Sequence, residues 1–184
     1  MAGKGKKRKQ KVAVVHCSGG SELLSGIERE KLPEGCAAIK EAFPDGIRSC
    51  RFGCLGGGDC VNACRLHAIH LNEEGVAVID RDICVGCGLC VKACPQHIIG
   101  FMPTEDVIVP KCSNEDKGAD ARKQCVNSCI ACRICEKNCP ADAIHVIDSH
   151  AVIDTNRCIA CGMCSVKCPR GVICDANGIF TVRR

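Results

Sequence analysis

Cys84-Val-Gly-Cys87-Gly-Leu-Cys90-Val-Lys-Ala-Cys94-Pro95 is the stretch that decides the fold of this chain. Three cysteines spaced three apart place their thiols on one tight loop. A fourth follows four residues later, directly before a proline. The run recurs with the same spacing as Cys129-Ile-Ala-Cys132-Arg-Ile-Cys135-Glu-Lys-Asn-Cys139-Pro140 and as Cys158-Ile-Ala-Cys161-Gly-Met-Cys164-Ser-Val-Lys-Cys168-Pro169.

This is the spacing of the bacterial ferredoxin run. Three thiolates wrap three irons of one [4Fe-4S] cubane, and the cysteine before the proline ligates the other cluster of a pair. Gly86, Gly88, Ala131, Ala160 and Gly162 let the loop close on the cube, so that backbone N–H groups can reach its sulfurs. Tetrahedral zinc sites combine two C-x-x-C pairs across a longer spacer, so a structural zinc protein, the reading from a different class, fits these runs poorly. Cys125-x-x-x-Cys129-x-x-Cys132 has a spacing used by radical S-adenosylmethionine enzymes. Its last two cysteines already belong to a ferredoxin run, and the chain has no room for a separate barrel domain.

Working outward, the chain repeats itself. Cys50, Cys54, Cys60 and Cys64 return 75 residues later as Cys125, Cys129, Cys135 and Cys139, and Cys84 to Cys94 return 74 residues later as Cys158 to Cys168. Between them lie Ala68-Ile-His-Leu71 and Val76-Ala-Val-Ile79 in the first copy, and Ala143-Ile-His-Val-Ile147 and Ala151-Val-Ile153 in the second. Short β-branched runs around a polar turn read as hairpins. Val12-Ala-Val-Val-His-Cys17 and Val107-Ile-Val-Pro-Lys-Cys112 match as leading strands. The first copy then inserts about twenty residues with a helix-like stretch, Cys36-Ala-Ala-Ile-Lys-Glu-Ala-Phe43, stopped by Pro44 and Gly46.

The fold expected is α+β: two tandem two-cluster ferredoxin-like modules of short hairpins and short helices, with a small N-terminal strand and helix segment. The boundaries are a basic tail over 1–11, the N-terminal segment 12–47, module 1 over 48–103, a strand and connector 104–124, module 2 over 125–175 and a C-terminal tail 176–184.

The first motif departs from the rule. Cys54, Cys60 and Cys64 hold the first, third and fourth positions, but the middle position is Gly57, and Arg65 replaces the proline. The substitute suggested by the sequence is Cys50, brought in by the glycine-rich loop. Cross-ligation then assigns Cys50, Cys54, Cys60 and Cys94 to cluster 1, and Cys84, Cys87, Cys90 and Cys64 to cluster 2. Cluster 3 takes Cys129, Cys132, Cys135 and Cys168, and cluster 4 takes Cys158, Cys161, Cys164 and Cys139. The cofactors expected are four [4Fe-4S] clusters. Cys17, Cys36, Cys112, Cys125 and Cys174 are left over. The first four are candidates for an extra metal site, and Cys174 reads as a plain thiol.

Composition agrees. There are 21 cysteines in 184 residues, an odd number, with no secretory signal, so metal binding is favoured over disulfide pairing. No apolar run is long enough to span a bilayer. The chain has no Trp or Tyr and only Phe43, Phe52, Phe101 and Phe180. A core that poor in aromatic area needs metal staples. The formal charge of +4 rests on Lys4, Lys6, Lys7, Arg8, Lys9 and Lys11, which leaves about −2 for the rest. Four clusters at about −2 each bring the loaded protein to about −4. The tail reads as a solvated end, and no nucleic-acid partner is expected. His16, His67, His70, His97, His145 and His150 show no mutual ligand spacing. No triad, phosphate loop or nucleotide fingerprint occurs, so no catalytic site is inferred.

Val14-Val-His-Cys17-Ser-Gly-Gly20, Cys50-x-x-x-Cys54-Leu-Gly-Gly-Gly-Asp-Cys60 and Lys111-Cys112-Ser…Asp116-Lys-Gly118…Arg122-Lys-x-Cys125 together resemble the B subunit of Rnf complexes. These are membrane-bound ferredoxin:NAD oxidoreductases that couple electron transfer to sodium or proton export. The resemblance covers residues 12 to 175. It implies single-electron relay from reduced ferredoxin into the other subunits of a membrane redox complex, at the cytoplasmic face of the membrane. The family opens with a membrane helix and a further cysteine-bearing cluster domain. Here Met1 opens a lysine-rich tail, as an excised part, a truncated frame or a split subunit would. The alternative within the same class is a polyferredoxin arm of a hydrogenase or oxoacid oxidoreductase.

Overall fold

The computed structural model describes residues 10–176. Most of the basic tail and nearly all of the C-terminal tail, with Phe180, lie outside the described residues. Every element is short. Strands run three to five residues and α-helices four to seven. Isolated helices of this length are marginal in water, so packing has to hold them.

Module 1 is built on two antiparallel pairs. The inner pair is the expected hairpin, β2 (Ile69–Leu71) with β3 (Ala77–Ile79). Its turn is closed by Val76 N–H donating to Asn72 Oδ1 at 2.8 Å. The outer pair joins distant segments. The leading strand β1 (Lys11–Val15) runs against β4 (Ile99–Pro103), with Val12 opposite Met102 and Val14 opposite Gly100. Module 2 repeats this. The leading strand β5 (Ile108–Pro110) pairs with β8 (Ile173–Asp175), and β6 (Ile144–Ile147) pairs with β7 (His150–Ile153). Both leading strands thus close their modules from outside the cysteine motifs.

The helices follow the cysteines. α2 (Asp59–Asn62), α3 (Leu89–Ala93), α5 (Ile134–Lys137) and α6 (Met163–Lys167) each begin one residue before the third cysteine of a motif. Each is preceded by a residue in the left-handed region: Gly58, Gly88, Arg133 and Gly162. Two residues before each of these, Gly56, Gly86, Ala131 and Ala160 also take positive φ. Positive φ is costly for Ala and Arg. The second copy accepts that cost at Ala131, Arg133 and Ala160, so all four motifs follow one backbone path.

Of the two remaining α-helices, one packs within the first copy and the other lies at the junction between modules. α1 (Cys36–Ala42) is the helix expected in the insert, and α4 (Gly118–Gln124) leads into the second copy. Ser21 Oγ donates to Gln124 O at 3.0 Å, and Val126 N–H donates to Gly20 O at 3.0 Å. His16 Nδ1 lies 2.8 Å from Pro110 O, so that nitrogen carries the proton and donates. Burial lowers the pKa of this imidazole, which keeps it neutral.

Candidate iron-sulfur sites

Three cavities decide how the cysteines group. One is lined by Cys129, Cys132, Cys135 and Cys168, a second by Cys139, Cys158, Cys161 and Cys164, and a third by Cys64, Cys84, Cys87 and Cys90. These are the sets expected for clusters 3, 4 and 2. In each, the structure brings three cysteines of one motif to the fourth cysteine of its neighbour. The rest of each lining is mostly apolar, such as Val172 and Ile173 in the first and Ile144 and Ile153 in the second.

The donors fit a cubane. Among the described residues no three His, Cys, Asp or Glu side chains converge tightly enough to hold a single metal ion. Thiolates on the corners of a cubane stand farther apart than those around one ion. Backbone N–H groups already point at ligand sulfurs. Ala13 N–H donates to Cys84 Sγ at 3.4 Å, Ala160 N–H to Cys158 Sγ at 3.4 Å and Ala143 N–H to Cys139 Sγ at 3.2 Å. Such bonds favour the charged sulfur and tune reduction potential.

Burial works against charge at these thiols. It pushes Cys60 and Cys164 up to about 12, with the charges of neighbouring cysteines adding to it. Cys135 rises to about 11 for the same reasons. These thiols are neutral at pH 7 without metal, and binding iron would displace their protons into solvent.

Exposure differs within each motif. The middle cysteines Cys87, Cys132 and Cys161 are exposed, whereas the third cysteines Cys90, Cys135 and Cys164 are buried. Apolar side chains surround two of these surface thiols. Val85 is 67% exposed beside Cys87, and Ile159 is 64% exposed beside Cys161.

The first motif is arranged differently. Cys54, Cys60 and Cys94 share one core with Val76 and Ile98. The thiol whose charge joins those of Cys54 and Cys94 in raising Cys60 is Cys36. Cys50 is buried and its sulfur accepts from Asn114, two residues after Cys112, at 3.3 Å, while Cys17 packs against the core that holds Cys54. Cys174 is half-buried in β8.

Comparison with known proteins adds the family. The 4Fe-4S dicluster domain matches at residues 51–101, 83–144 and 128–173. Cys17, Cys36 and Cys50 precede all three matches. The chain is 44% identical over 145 residues to the B subunit of the proton-translocating ferredoxin:NAD(+) oxidoreductase complex of Clostridium ljungdahlii, covering 78% of this chain and 50% of that one. It is 39% identical over 148 residues to the B subunit of the Na(+)-translocating ferredoxin:NAD(+) oxidoreductase complex of Acetobacterium woodii, covering 80% and 44%. It is 36% identical over 143 residues to the B subunit of the ion-translocating oxidoreductase complex of Methanosarcina acetivorans, covering 78% and 54%. The chain spans about half the length of the curated relatives it matches. With its cysteine runs, its cavities and these likenesses on one chain, it belongs to the 4Fe-4S dicluster proteins, and over about four fifths of its length it is similar to the B subunits of ion-translocating oxidoreductase complexes.

Proposed function

We propose that the chain relays single electrons through [4Fe-4S] clusters, from reduced ferredoxin into the other subunits of a membrane-bound ion-translocating ferredoxin:NAD(+) oxidoreductase. The observation that carries this is the grouping of twelve cysteines, four to a cavity, in the cross-ligated sets of a two-cluster ferredoxin. The names of the relatives supply the complex. Each bound cubane gains and loses one electron.

The chain's own residues do the rest. Cys84, Cys87, Cys90 and Cys64 hold cluster 2. Cys129, Cys132, Cys135 and Cys168 hold cluster 3, and Cys158, Cys161, Cys164 and Cys139 hold cluster 4. Cys54, Cys60 and Cys94 hold cluster 1 with a fourth thiolate. The exposed thiols of Cys87 and Cys161, within their apolar rims, are where partners dock and electrons cross. No helix among the described residues is long and apolar enough to cross a membrane. The place of action is the cytoplasmic face of the membrane, reached through partner subunits or an anchor outside this sequence.

The test uses the anaerobically loaded protein, whose cubanes give a broad brown absorbance. Mixing with reduced ferredoxin should bleach that absorbance, and reoxidation should restore it. A protein that stays oxidised against excess reduced ferredoxin would exclude ferredoxin as the donor. A colourless protein with stoichiometric zinc would end the iron-sulfur reading.

A further inference from the structure

Gly57 stands where three other motifs carry their middle cysteine, between Gly56 and Gly58, both at positive φ. A Cβ placed on it would lie 2.4 Å from Cys36 N and 2.9 Å from Cys36 Cα. The backbone of Cys36 thus fills the space that a side chain at 57 would enter. Asp59 holds it there. Its Oδ1 accepts from Cys36 N–H at 2.9 Å and its Oδ2 from Ala37 N–H at 3.0 Å. Cys36 is itself buried, in one core with Leu55 of the motif.

Cys50 is committed to another group. Its N–H donates to Ser21 Oγ at 2.8 Å, and the fully buried Asn114 donates to its sulfur at 3.3 Å. Asn114 follows Cys112 by two residues, and Ser21 follows Cys17 by four. Cys125 Sγ reaches Gly19 O at 3.2 Å. Cys50, Cys112 and Cys125 are buried and Cys17 is half-buried. Hydrogen bonds draw their segments together: Val126 N–H donates to Gly20 O at 3.0 Å, Ser21 Oγ donates to Gln124 O at 3.0 Å, and Asn114 Nδ2 donates to Gln124 Oε1 at 2.9 Å.

Ser128, 1% exposed between Cys125 and Cys129 in the chain, has a hydroxyl with no hydrogen-bond partner among the described residues. A buried hydroxyl is costly unless some acceptor takes its proton.

We propose that Cys36 is the fourth ligand of cluster 1, with Cys54, Cys60 and Cys94, and that Cys17, Cys50, Cys112 and Cys125 hold a fifth [4Fe-4S] cluster where the two modules meet. This rests on the reading of the chain as a cubane carrier and extends it. The fifth site sits between the others. Cys17 packs against the core that holds Cys54 of cluster 1, and Cys129 N–H of cluster 3 donates to Cys112 Sγ at 3.3 Å. Two separate two-cluster wires become one wire of five. An electron leaving one cluster reduces the next, so the transfer needs no other reactant.

The experiment is iron, sulfide and zinc analysis of the full chain, loaded anaerobically. About 20 iron and 20 sulfide per chain are expected from five cubanes. About 16 of each would overturn the fifth site and leave the relay of four clusters standing. Iron near zero would sink both. One zinc beside 16 irons would show a zinc site at the junction and overturn the fifth cubane.

Variants assign the ligands. Cys112→Ser and Cys125→Ser should each lose about four irons and keep the rest. Cys36→Ser should lose a different four, or leave a three-iron cluster with its own electron paramagnetic resonance signal. Cys36→Ser together with Cys50→Ser should lose about eight. Full iron in Cys36→Ser would return cluster 1 to Cys50. Cys174→Ser is the control and should keep every iron. A variant that loses all its iron has failed to fold, and the wild-type count then decides.

Discussion

Chelating the iron under reducing conditions should abolish the cooperative melting transition and most of the circular dichroism of this protein. Among the described residues, the core of module 1 contains Cys54, Cys60, Cys90 and Cys94, and that of module 2 contains Cys112, Cys129, Cys135 and Cys164. Their apolar companions are mostly Ala, Val and Ile, with no large aromatic side chain. Strands of three to five residues cannot stand alone. Metal binding in small metallodomains supplies roughly 10 kcal/mol or more per site, and a whole domain is stable by only about 5–15 kcal/mol. The metal term therefore exceeds what the bare chain can offer. An iron-free protein with unchanged dichroism and an unchanged melt would show that the polypeptide holds itself.

Arg48→Ala should be the most damaging substitution outside the cysteines. This guanidinium is 7% exposed and ties three segments together. Its Nη1 donates to Ser21 O at 2.6 Å, its Nη2 to Glu74 O at 2.7 Å and its Nε to Cys54 O at 3.1 Å. Burial lowers its pKa, with nearby Arg29 adding to this, yet a guanidinium stays charged. Hydrogen bonds to a charged donor are worth about 1.5–3 kcal/mol each, and entering water recovers part of that. The expected loss is on the order of 3 kcal/mol, or roughly 10 °C in the melting temperature of a chain this long. Arg48→Lys should recover little, since a point charge cannot reach three carbonyls in one plane. A melt within about 2 °C of wild type, on the scale of about 1 kcal/mol, would show that the three segments hold without it.

The sequence reveals what is local. The spacing of Cys129, Cys132 and Cys135 with Cys168 names the lining of one cavity before any coordinates are known, because the cubane fixes the loop. The β-branched runs at 69 and 144 become hairpins for the same reason, with partners only a turn away. The helix at Cys36 is legible from its stop at Pro44. What stays hidden is the pairing of distant segments. β4 and β8 reach back to β1 and β5 across most of a module, and no local pattern announces that. α4 is hidden too, since Gly118-Ala-Asp-Ala-Arg-Lys-Gln124 has no apolar stripe and only Ala121 is buried. The placing of Cys36 beside Gly57 depends on Asp59, 23 residues along the chain from the N–H it receives. Proximity in sequence favours Cys50 for that place. The one signal pointing the other way is the insert itself, which brings a cysteine to the copy that lacks one.

The exposed thiols of Cys87, Cys132 and Cys161 have a cost as well as a use. A sulfur that stands at the surface to meet a partner also meets dissolved dioxygen, and oxidation follows thiolate character and access. Cys36, Cys50, Cys54, Cys60 and Cys94 are all buried. In air the protein should therefore decay in stages. The three sites with a surface corner go first, while the interior around Cys54 keeps its iron, leaving a partly bleached molecule whose wire has lost its ends before its middle.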